Sequence, residues 1–97
     1  MTVQRTPEER IAELARTFPS SLVGAPGIKP WEPRNLDSWA ASVVSSGERQ
    51  AACFILAVWD SGSAWDCGHF DLMKALSTWD EAHHRAFLTW AAEPWWP

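Results

Sequence analysis

Ninety-seven residues, 46% hydrophobic and 21% charged with a formal net charge of −4, describe one globular domain and exclude a disordered chain or a two-domain protein. The longest apolar run, Ala51–Trp59, spans nine residues, about half of the ~18 that cross a bilayer. The start MTVQRTPEER has no apolar stretch after a basic end, so neither a leader nor a membrane is expected and the chain reads as cytoplasmic.

In TPEERIAELARTFP, Thr6 is a natural N-cap, Pro7 takes the first helical position and Glu9 stands three residues after the cap. Ile11, Leu14, Ala15 and Phe18 recur at helical spacing until Pro19 stops the run. The stretch from Ser20 to Arg34 carries Pro26, Pro30 and Pro33 with Gly24 and Gly27, so it forms no regular element. Because it contains Trp31, it reads as an ordered wrap across the core and not as a linker between domains. Asn35 then caps a short helix over about residues 36–45, with Leu36, Trp39, Ala40 and Val43 on one face.

Ser45 and Glu48 form a second capping box ahead of AACFILAVW, which is apolar all round and reads as the buried central helix. A buried strand over residues 51–59 is the rival, since Cys, Phe, Ile, Val and Trp suit strands. Helix is favoured by the start signal, by the length of the run and by the lack of a second strong strand to pair with it. Farther on, Phe70, Met73 and Leu76 serve a fourth helix. Thr78, boxed with Glu81, caps a fifth whose face is Trp79, Ala82, Ala86, Phe87 and Trp90, and Pro94 ends it. The expected fold is therefore all-α: a compact single-domain bundle of four to five short helices over residues 1–97 with a Pro-rich wrapping loop. The α+β arrangement with a strand at residues 51–59 is the alternative.

Charge narrows the partners. Residues 1–59 balance six acids with six bases, whereas residues 60–97 hold six acids against Lys74 and Arg85. No basic stripe is available to neutralise phosphates, so nucleic acid is not an expected partner. The acids are also too dilute to imitate a duplex, which carries a charge about every 1.7 Å. Eight Trp, no Tyr, one Asn and two Lys, beside abundant Ala, Pro, Gly and Arg, match GC-rich codons and point to a GC-rich bacterium, a phage or a mobile element.

The chain closes on Pro94-Trp95-Trp96-Pro97. These four letters coincide with the name of the PWWP domains. In that family the motif lies near the start of a β-barrel with an aromatic cage and a basic surface, whereas here it follows a helix on an acidic chain, and the assignment is rejected. The prolines extend the backbone, so Trp95 and Trp96 point in roughly opposite directions and only one of them easily covers the core. Eight tryptophans overfill so small a core, and each indole N–H wants a partner. Two or three are expected to keep a face on the surface, among Trp65, Trp95 and Trp96. Trp-Asp recurs at 59–60, 65–66 and 79–80, but a propeller blade alone takes about 40 residues, which excludes that fold.

Surface tryptophans flanked by acids suit a docking site on another protein or on a second copy of the chain. The expected function is a non-enzymatic protein-interaction module using Trp65, Trp95 and Trp96 with Asp60, Asp66 and Asp71, of which an inhibitor of a host or defence enzyme is one form. No cofactor is expected. A Trp-lined pocket for a small molecule or metal, edged by Cys67, His69 and His83, is the second class, although no zinc-type spacing supports it. A cysteine-dependent enzyme built on Cys67 is the third, without an elbow or oxyanion-hole signal. Cys53 and Cys67 are expected as thiols, Cys53 buried, since nothing in their spacing suggests a disulfide.

Overall fold

Helix starts in this chain are written in its side chains, and two of the four expected caps, Thr6 and Ser45, form. The structure, a computed structural model, describes residues 5–18, 22 and 24–97. Among them are five helices and no strand: α1 (Pro7–Arg16), α2 (Pro33–Ala41), α3 (Ser46–Trp59), α4 (Leu72–Thr78) and α5 (Glu81–Ala92). At α1 the Glu9 N–H donates to Thr6 Oγ1 at 3.1 Å while the Thr6 N–H donates back to the Glu9 carboxylate. Ser45 and Glu48 repeat this reciprocal box at α3. Each box satisfies two backbone donors that a helix end otherwise leaves open. The stop expected at Pro19 lies outside the described residues.

The apolar run becomes a helix. Residues 50–56 and Val58 are all buried, so α3 is wrapped on every side and packs against α1, α2 and α4. A 14-residue helix satisfies its own backbone there, whereas a lone central strand leaves its ladder unpaired. The Cα radius of gyration, 12.6 Å, is close to the ~13 Å of a folded domain of about 100 residues.

Three helix boundaries differ from the expectation. Helix α2 begins at Pro33, not after Asn35, because proline's fixed φ is already helical at the first position. It ends at Ala41, where Ser42 turns extended, and Val43 is left fully exposed and not on the buried face. Asp80, not Thr78, caps α5: Thr78 still belongs to α4 and its hydroxyl donates to the Lys74 carbonyl. In α4, Met73 and Leu76 face solvent and only Ala75 is buried, because Phe70, just before the helix, takes the core position against Phe54. Ala82 is likewise exposed, and His83 takes the buried position beside Trp79.

The wrapping loop crosses the core as expected. Ile28 is buried and Trp31 packs edge-on to Trp59 with ring centroids 5.3 Å apart. Gly27 makes the turn possible: its φ is +83°, and a Cβ there would collide with the Glu32 carbonyl and lie 2.7 Å from the Leu36 nitrogen. Only glycine fits both demands.

Phe18 from the end of α1, Phe54 from α3, Phe70, Trp79 between the last two helices, and Phe87 and Trp90 from α5 form one aromatic cluster. Its ring centroids are 5.1–6.5 Å apart in mostly tilted or edge-on pairs, the separations that rings with a negative face and positive edge prefer. Trp79 is the one tryptophan that is fully enclosed, and its indole N–H donates to the Gly47 carbonyl at 3.0 Å. Trp31, Trp39, Trp59, Trp65, Trp90 and Trp95 are half-buried and Trp96 is exposed.

Candidate interaction surfaces

The C-terminal segment after α5 is held down by three different contacts. Trp90 donates its indole N–H to the Trp95 carbonyl at 3.0 Å. The Arg10 guanidinium of α1 lies over the Trp95 ring at 4.0 Å, a cation–π contact across the two ends of the chain. Trp96 sets its ring edge-on to Trp90 at 5.5 Å and remains 62% exposed. One tail tryptophan, Trp95, packs on the core and its neighbour Trp96 is exposed.

This arrangement leaves a groove of about 610 Å³ between α1, α5 and the tail. Leu14, Ala86, Trp90 and Trp95 form its apolar surface, and Glu81, Arg85 and Glu93 its charged margin. Arg85 is paired with Glu81 at 2.8 Å, one helical turn away, so Glu93 leaves the margin with net negative charge.

Trp65 lines a different depression, with Asp60, Asp66, Arg34 and Asp37, which shares no residue with the tail groove. The three surface tryptophans therefore do not converge. Trp65 donates its indole N–H to the Asp60 carbonyl at 3.1 Å. Two of the three acids proposed beside it are spent on local structure. Asp60 accepts from the Gly62 N–H and the Ser63 hydroxyl, and Asp71 accepts from the Lys74 N–H as the cap of α4. Asp66 is exposed.

The loop bearing Trp65 is anchored from below by two buried polar side chains that sequence reading does not single out. Asp37 of α2 accepts the backbone N–H groups of Asp66 at 3.0 Å and Cys67 at 2.9 Å. Gln50 of α3 accepts the Asp71 N–H at 2.9 Å. Both are less than 8% exposed, where a lost acceptor strands its donors away from water.

Cys67 then meets Cys53 of α3, with their sulfurs 3.1 Å apart and both thiols free. The pair shares protons unevenly. Hydrogen bonding with Cys67 holds Cys53 below the ordinary thiol range despite its burial, helped by Arg49. The same bond, burial and the Asp37 carboxylate push Cys67 strongly upward. That direction is the opposite of what an attacking cysteine needs. Among the described residues no three His, Cys, Asp or Glu side chains converge on a metal-sized site. His83 sits instead against Trp79 and Phe18, its Nδ1 2.7 Å from Asp80. Cys67, His69 and His83 do not form a common edge to a tryptophan pocket.

The His83 ring and its backbone N–H both donate to Asp80 and hold that carboxyl below the usual aspartate range. A depressed folded value makes its contribution present above the unfolded value and lost as pH falls through the folded one. Stability measured by urea unfolding is expected to drop below about pH 4, and Asp80→Asn is expected to flatten that part of the profile. An unchanged acid limb in the variant contradicts the assignment.

Other large apolar side chains, away from the tail groove, also face solvent. Helix α4 exposes Leu72, Met73 and Leu76, and Leu88 of α5 is also exposed. His84, one turn before Leu88, contacts the Leu76 carbonyl through Nε2 at 3.0 Å and ties the end of α4 to the start of α5. Among the described residues no helix is long and apolar enough to cross a membrane. The chain matches no protein-family model, no curated protein and no solved structure.

Proposed function

We propose that this chain is a non-enzymatic protein-interaction module. Its tail groove receives an apolar side chain of another protein, with Trp96 as the exposed anchor at the margin. The observation that carries this reading is the built character of the groove. Trp95 is fixed by Arg10 and Trp90, while Trp96 is left beside it with most of its surface in water. A rigid, half-solvated indole next to a formed cleft is the kind of group that dominates binding energy when a partner covers it. The acidic excess of residues 60–97, with Glu93 on the groove's margin, selects a partner segment whose apolar anchor is flanked by lysine or arginine.

Within this reading the protein works in the cytoplasm of a GC-rich bacterium, or is carried there by a phage or mobile element. Inhibition of a host or defence enzyme is the form such docking takes. The Trp65 depression with Asp66 contributes a second, weaker contact to a large partner.

The test begins with affinity capture and identification of the partner, followed by titration of the two purified proteins. Trp96→Ala is expected to weaken binding at least ~30-fold, the size of an interface hot spot of about 2 kcal/mol. Its unfolding curve is expected to stay close to wild type. Binding is also expected to weaken with added salt. Equal affinity for both proteins contradicts the proposal.

The groove's volume favours one further reading. About 610 Å³ falls within the ~300–1,000 Å³ of small-molecule sites, and two indoles line it. Native mass spectrometry of freshly purified protein separates the two, since a retained small ligand adds its own mass and a protein-docking groove adds none.

A further inference from the structure

The two cysteines stand in a relation that neither the fold nor the docking proposal uses. Cys53 lies in the middle of α3 and is 2% exposed, while Cys67 is half-buried in the loop between α3 and α4. Their sulfurs are 3.1 Å apart, closer than unbonded sulfur atoms normally rest, and the Cys53 thiol also faces the Cys67 carbonyl at 3.7 Å. The approach is not a chance meeting of two flexible side chains. Cys53 is fixed by a helix buried on all sides. Cys67 is fixed by its own N–H, which donates to the buried Asp37 carboxylate, and the loop's far end is fixed by Gln50. Three anchors on α2 and α3 hold the loop where a bond between the sulfurs requires little movement of the backbone.

We infer that Cys53 and Cys67 form a reversible intramolecular disulfide that locks the Trp65-bearing loop to the central helix when the protein meets a peroxide. The oxidant reaches the pair from the side of Cys67, because Cys53 is covered. The Cys53 sulfur, favoured as the thiolate by Cys67 and Arg49, attacks the peroxide: the O–O bond breaks, Cys53 becomes a sulfenic acid and one water leaves. The Cys67 sulfur then attacks the Cys53 sulfur. The S–S bond forms, the S–O bond breaks, and the hydroxide departs with the Cys67 proton as a second water. Two thiols and one hydrogen peroxide thus give one disulfide and two waters. A dithiol reductant reverses the change by exchange.

Consequences follow for the loop more than for the fold. Reduced, residues 60–71 are held by hydrogen bonds and by the packing of Trp65 and Phe70; oxidised, they are also tied covalently across a gap of 14 positions. Tying a loop of that length restricts the unfolded chain and raises stability. It also fixes Trp65, which lines the depression over Asp37.

The full-length protein is treated with a small excess of hydrogen peroxide under native conditions, then denatured and labelled with a maleimide. A monomer about 2 Da lighter that takes no label and recovers both thiols with a dithiol reductant is expected. Its Tm is expected to rise by about 5–15 °C, with slower amide exchange over residues 60–71. Cys67→Ser, which leaves the buried Cys53 in place, is expected to show neither the mass loss nor the Tm rise under peroxide. The inference is overturned by a monomer that gains oxygen at Cys67 while Cys53 stays a thiol. A disulfide that links two chains, or an intramolecular one that lowers Tm, overturns it equally.

Discussion

Trp79→Ala is expected to lower the unfolding free energy by about 3–5 kcal/mol, a large share of the ~5–15 kcal/mol that holds a small domain together. The residue stands between α4 and α5, where its ring touches Phe18 from α1, Phe70 from the preceding loop and both His83 and Phe87 from α5. Its N–H reaches the Gly47 carbonyl in the first turn of α3. One side chain therefore joins four parts of the chain that are far apart in sequence. Truncation removes the ring, leaves a cavity at the junction and strands a backbone acceptor. Trp79→Phe separates these effects, since it keeps most of the ring and loses only the hydrogen bond, at about 1–2 kcal/mol. Urea unfolding measures both variants. A loss below about 1 kcal/mol for the alanine variant contradicts the placement of Trp79 at the junction.

Asp37→Ala is expected to be the second most damaging change, by about 2–4 kcal/mol. Among the described residues the buried carboxylate is the sole hydrogen-bond acceptor for the N–H groups of Asp66 and Cys67, and alanine provides none. Asp37→Asn keeps one carbonyl oxygen and is expected to fall between the two. Hydrogen exchange gives the local test: the amides of Asp66 and Cys67 lose at least about tenfold protection in the alanine variant, while those of α1 keep theirs until global unfolding. Uniform loss across the chain, or none, contradicts a local anchor. The same variant releases Cys67, so it also slows closure of the Cys53–Cys67 pair.

What the sequence discloses and conceals follows from the range of each interaction. Capping boxes are closed within four residues, so Thr6–Glu9 and Ser45–Glu48 were readable directly. The all-round apolarity of residues 51–56 was enough to make α3 central and helical. Where two local signals compete, the sequence is ambiguous: Thr78 stands three residues before Glu81, whereas Asp80 is itself a good N-cap type, and it is Asp80 that accepts the His83 N–H. Helix α4 misled for a different reason. Its apolar residues have helical periodicity, but at seven residues it is short enough for one small contact, Ala75, to seat it. Phe70 then fills the core in place of Met73.

The deepest features were invisible because their partners are distant. Asp37 and Gln50 look like ordinary surface residues of amphipathic helices; the amides they serve lie 21 to 30 positions away. The cysteine spacing likewise says nothing until the loop returns over α3. For the candidate surface, the sequence leads one to expect that only one of Trp95 and Trp96 covers the core, and Trp95 is the one that packs there. The sequence did not show that Trp65 belongs to a separate depression, or that Asp60 and Asp71 are occupied as a turn and a cap. It also hid the exposed face of Leu72, Met73, Leu76 and Leu88, which competes with the tail groove as a docking surface.

That competition sets the most direct measurement. Eight tryptophans provide eight indole N–H resonances, each assigned by a single Trp→Phe variant and followed while the purified partner is added. The account predicts that Trp96, Trp95 and Trp90 shift or broaden together, while Met73→Asp leaves affinity unchanged. Tail resonances that do not move, with binding abolished by Met73→Asp, would transfer the docking site to α4 and contradict the role given to the tail groove.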